Sequence, residues 1–134
     1  MSVFTENAGR FLNSHETESM TGAYRDRKVA ADISREDYVR SEYFGINQVQ
    51  HLLSQPGCMG LRIHHAKRWE DAYGNPTETG KGQLKPRVLL TGVDANGKDI
   101  AGRGQHAGLK DDGDGGIQTV GDGYTCPQHC APPQ

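Results

Sequence analysis

The sequence predicts an α+β fold, with two N-terminal helices packed on a small, mostly antiparallel sheet and followed by a glycine-rich extension. Three observations carry this. Two segments place apolar residues at helical spacing, two later segments are aliphatic strands, and Asp94-Ala95-Asn96-Gly97 between aliphatic residues marks a hairpin turn. At 134 residues the chain is long enough for one domain. Compact structure is expected over 1–101. The remainder, 102–134, carries only Leu109, Ile117, Val120 and Tyr124 as large apolar side chains and ends in a cysteine motif.

The first helix is expected over about residues 4–19, from Phe4, Ala8, Phe11, Leu12 and His15, with Ser2 or Thr5 as cap and Gly22 as the break. Residues 25–41 are highly charged and read either as a solvated connector or, through Ser34 and Asp37, as a short helical turn. The second helix is expected from about Ser41 to Ser54, burying Ile46, Val49, Leu52 and Leu53, until Pro56-Gly57 ends it. A strand follows over 61–66, with Leu61, Ile63 and His65 on one face. Residues 68–85 read as a long loop, and 87–93 as the strongest strand, at the centre of the sheet. The expected core joins Leu61, Ile63, Val88 and Leu90 to the helix face of Ile46, Val49 and Leu53.

An amphipathic helix leading into Gln55-Pro56-Gly57-Cys58-Met59-Gly60-Leu61-Arg62-Ile63, an aliphatic strand ending Gly92-Val93-Asp94-Ala95-Asn96-Gly97, and Cys126-Pro127-Gln128-His129-Cys130 near the C-terminus resemble a group of short, uncharacterised bacterial proteins. The resemblance implies the same helix-and-sheet arrangement and brings no activity with it. His64-His65, where aromatic residues are expected, and the inserts at 67–85 and 102–123 depart from that pattern.

The chemistry-bearing residues point several ways. Cys126 and Cys130 lie four apart with His129 beside the second, and zinc could be held by these three with Cys58 or His64 as a fourth ligand. Against this, the spacing is not that of a zinc knuckle, and a disulfide is the preferred reading, either Cys126–Cys130 or one of them with Cys58. Cys58 is expected to be buried at the helix–strand junction. His64 and His65 must point to opposite faces of a strand, one inward to a hydrogen bond and one to solvent. The run Asp111-Asp112-Gly113-Asp114-Gly115-Gly116 has the look of a calcium loop, but it lacks the twelfth-position glutamate and the flanking helices of an EF-hand. No cofactor is expected.

Arg62, Lys67, Arg68, Lys81, Lys85 and Arg87, with Trp69 and Tyr73 among them, could form a basic–aromatic surface. The net charge of −2 argues against nucleic acid as the partner. The N-terminus lacks the basic and apolar regions of a signal peptide, so the cytoplasm is the expected compartment, with export lacking a cleavable signal left open. No segment has the length and apolarity of a membrane span. A small core, a long extension and an unpaired cysteine without a catalytic constellation suit a non-enzymatic structural subunit that assembles with itself into an oligomer or filament. In that reading Trp69, Tyr73, Ile117, Val120 and Tyr124 are the contact residues. The alternatives are a module binding a protein or ligand through the 67–85 loop, and a small metal-binding protein.

Overall fold

A computed structural model of the chain describes residues 2–35, 37–102 and 116–131. The acidic run at 111–115 and Leu109 lie outside them. The fold is α+β, and the chain forms two units. One comprises Met1–Ala8 with Phe44–Gly123, the other Gly9–Tyr43 with Tyr124–Gln134.

The second unit contains helix α1 (Ser14–Ala30), strand β1 (Ser41–Tyr43) and strand β5 (Tyr124–Cys126). Helix α1 replaces the helix expected over 4–19. Its start is fixed by a capping box, in which the Asn13 side chain accepts the Glu16 N–H at 2.8 Å and the Glu16 carboxylate accepts the Asn13 N–H at 3.1 Å. Arg10, 2.9 Å from Glu16, and the Asn13 N–H hold the Glu16 carboxyl below its ordinary range. Gly22 sits inside the helix rather than ending it, and the charged residues 25–30 form its last turns. No α1 residue is buried. Ser34 and Asp37 do make a turn, through Asp37 N–H to Ser34 O at 2.9 Å. Strands β1 and β5 pair antiparallel, Ser41 with Cys126 and Tyr43 with Tyr124.

The first unit holds helix α2 (Ile46–Leu53), β2 (Gly60–Glu70), β3 (Gln83–Val93) and β4 (Thr119–Val120). The sheet order β2-β3-β4 puts β3 at the centre. Helix α2 is shorter than expected because 41–43 are extended in β1. Its buried stripe also narrows. Leu52 is fully buried, while Ile46 and Leu53 are exposed. Gly92 of β3 faces the end of this helix, where an added Cβ would lie 3.0 Å from Leu52 O and 3.1 Å from Cys58 Sγ. The glycine thus lets the strand approach the helix end closely.

Strands β2 and β3, eleven residues each, form a hairpin, so the ends of the loop expected over 68–85 (68–70 and 83–85) are strand and 71–82 remains the connection. The predicted turn at 94–97 forms. Gly97 takes φ 82°, and the Asp94 carboxylate accepts the Lys98 and Asn96 N–H groups at 3.0 and 2.9 Å. Those bonds, Lys98's first, hold its carboxyl below the usual range. The returning chain bridges Asp99 to Val93, then Ala101 to Ile117. Val120 of β4 lies opposite Leu90.

Candidate functional site

Cross-strand partners in an antiparallel sheet share a face. The register Arg62↔Thr91, His64↔Leu89, Ala66↔Arg87 and Arg68↔Lys85 therefore gathers the hairpin's charged groups other than Lys67 on one side. Leu61↔Gly92, Ile63↔Leu90, His65↔Val88 and Trp69↔Leu84 occupy the other. The alternation matches the sequence, and on the apolar side Leu90 is buried as expected, but its β2 neighbours are not covered. Among the β2 residues expected in the core, Ile63 is 60% exposed and Leu61 37%, while alternate positions carrying arginines are the more enclosed.

Ionic pairing makes this arrangement tolerable. At one end of the charged face, Arg62 Nη1 donates to Asp99 Oδ1 at 2.7 Å and Nη2 to Gly97 O at 2.9 Å, with the Phe4 ring 5.7 Å from the guanidinium. His64 Nε2 lies 3.0 Å from Thr91 Oγ1 and 3.3 Å from Asp99 Oδ2, so the inward histidine is the first of the pair and His65 is exposed. Thr91 also donates to Asp99 at 3.1 Å. Both oxygen partners approach the same imidazole nitrogen, unlike a base relay that uses both ring nitrogens. At the other end Glu70, 1% exposed, is held by Arg87 and by Arg68 Nε at 2.9 Å, and Arg68 also pairs with Asp122. Arg87 Nε is buried without a hydrogen-bond partner among the described residues.

These pairings bear on the rest of the hairpin. The expected basic–aromatic surface loses Arg62, Arg68 and Arg87 to carboxylates. Strand β2 is the outer strand of its sheet, and on its apolar face Lys67 is the one lysine or arginine. Leu84, 45% exposed, extends this apolar surface on β3. The 71–82 loop is organised by Asp71, whose carboxylate accepts Tyr73 N–H at 2.8 Å and Asn75 N–H at 3.0 Å, Asn75's bond doing most to hold its carboxyl below the usual range. Tyr73 projects from this loop, 77% exposed, and Trp69 is half-buried. Ile117 and Tyr124 are exposed, and Val120 is half-buried.

In the other unit Cys126 and Cys130 are paired as a disulfide, with Cα atoms 4.5 Å apart. The Arg40 N–H donates to Cys126 O at 2.7 Å, and Arg40 Nη2 lies 3.5 Å from Cys126 Sγ and 3.4 Å from Cys130 Sγ. The His129 ring rests against Tyr124, centroids 5.0 Å apart. Cys58 is a free thiol and half-buried rather than largely buried, its sulfur 3.3 Å from Gly60 O. Among the described residues, no three His, Cys, Asp or Glu side chains are grouped to hold a metal ion, and no helix is long and apolar enough to cross a membrane.

Sequence reasoning missed Arg40, Asp99, Glu70 and Thr91. The one local signal was Asp99, two residues past a hairpin turn on a returning segment. No protein-family model, curated protein or solved structure matches the chain.

Proposed function

We propose that the chain is a non-enzymatic structural subunit that assembles with copies of itself through the outer edge and apolar face of β2. The observation that supports this is a long outer strand that exposes Leu61 and Ile63, beside His65 and Lys67, on one face while its arginines are engaged on the other. An unpaired strand edge offers a row of N–H and C=O groups to another strand, and charged side chains are the usual protection. Here Arg62 and Arg68 lie on the opposite face in ion pairs, leaving Lys67 to guard an edge flanked by Leu61 and Ile63. A second copy supplies the same unguarded strand, so two edges satisfy one another's backbone groups and shield both sets of apolar side chains from water.

Sedimentation velocity over a range of concentrations tests this. The native chain should form species larger than a monomer, and Ile63→Lys should remove them. Ile63 is largely exposed, so the substitution should change stability by no more than about 0.5 kcal/mol. A native chain that remains monomeric as concentration rises overturns the reading. The exposed Tyr73 on its carboxylate-organised loop favours a second reading, a module binding a partner through residues 67–85. Tyr73→Ala would then weaken partner capture and leave particle size unchanged.

A further inference from the structure

We propose that Cys126–Cys130 is a thiol–disulfide exchange site for the thiols of proteins or small molecules, with Arg40 positioned to stabilise the thiolate that leaves. The two sulfurs differ in access. Cys130 is exposed, whereas Cys126 is 7% exposed and lies in strand β5. An external thiol therefore reaches Cys130 Sγ.

The guanidinium is already in place for the exchange. Arg40 Nη1 donates to Arg35 O at 3.0 Å, and the Tyr38 ring lies 5.5 Å from the guanidinium carbon. Tyr38 is itself buried, edge-on to Tyr24 with centroids 6.0 Å apart, and Tyr24 Oη donates to Val39 O at 2.9 Å. The backbone bond from Arg40 to Cys126 ties this scaffold to the disulfide-bearing strand. Nη2 is thereby held within reach of both sulfurs. Arginine stays protonated at any pH of interest, so it offers a fixed positive charge and N–H donors to a sulfur that acquires negative charge. A cation beside a thiol lowers its pKa, and a thiol of lower pKa leaves faster from a disulfide.

The exchange balances in two steps. An incoming thiolate RS⁻ attacks Cys130 Sγ, the new S–S bond forms there, and the old one breaks with its electron pair leaving on Cys126 Sγ beside Arg40. A second RS⁻ attacks the R sulfur of this mixed disulfide, giving RSSR and the Cys130 thiolate. Two external thiolates are oxidised and the protein disulfide takes up two electrons. A partner disulfide drives the same steps in reverse.

Glutathione serves as the probe on the oxidised full-length chain, with Cys58 replaced by serine throughout to leave one reacting pair. Arg40→Met should slow reduction about five- to tenfold and raise the pH midpoint of the thiolate absorbance of the reduced protein. Arg40→Lys, which keeps the charge, should restore most of both. With Cys126→Ser, oxidised glutathione should form a mixed disulfide at Cys130 rapidly. With Cys130→Ser, the adduct at Cys126 should form far more slowly. Unchanged rates and midpoints in Arg40→Met, or faster capture at Cys126 than at Cys130, overturn the proposal. A structural role alone would alter melting without moving the thiolate midpoint.

Discussion

Replacing Glu70 with alanine is expected to cost about 3–5 kcal/mol of stability, the range for removing one partner of a buried ion pair. Glu70 is 1% exposed and Arg87 8%, so loss of the carboxylate strands a guanidinium where water cannot solvate it. Arg87 Nε already lacks a hydrogen-bond partner among the described residues, which leaves little compensation close by. Arg68 retains Asp122 and is the less affected cation. The paired replacement Glu70→Leu with Arg87→Leu removes both charges and should recover most of the loss. Denaturant unfolding of Glu70→Ala and of the double variant checks this. A Glu70→Ala variant within about 1 kcal/mol of the native chain would mean that the pair is hydrated in solution.

The second large effect is expected at Leu52. It is fully buried, where Gly92 lets β3 approach the end of the helix, and truncation to alanine leaves a cavity that a strand so close cannot readily fill. The expected loss is about 2–5 kcal/mol, typical of buried leucines. The adjacent Leu53 is the internal control. It is 46% exposed, and its alanine variant should lose much less. Equal losses at the two positions in denaturant unfolding would place the buried face of α2 elsewhere.

What was legible in the sequence was local. The opposed faces of His64 and His65 come from strand geometry alone, and the inward member found its hydroxyl and carboxylate partners. The turn at Asp94 to Gly97 and the stop at Pro56-Gly57 depend on backbone preferences that few other residues satisfy. The choice of face on β2 was not legible. Alternation shows that Leu61 and Ile63 share a side but not which side is covered. That depends on Asp99 and Asp122, which join the strand only after the chain has turned back.

Helix α1 departs from its expected bounds for a different reason. Phe4, Phe11 and Leu12 suggested helical spacing, yet the Asn13 and Glu16 capping box was the stronger start signal, and Phe4 is used at Gly97 and Arg62 instead. The cysteine tail left a disulfide and a metal site open because spacing alone does not distinguish them. The pairing of Cys126 with Cys130 accompanies the turn after β5. Arg40 was invisible because its approach to these sulfurs needs β1 and β5 to pair across most of the chain's length.

Whether β2 offers its outer edge to a second copy is tested most directly by amide hydrogen exchange measured residue by residue at increasing protein concentration. Outward-facing amides within Gly60–Glu70 should become more protected as concentration rises, while those of Asp71–Gly82 do not change. Exchange across β2 that is independent of concentration would contradict self-assembly through this edge.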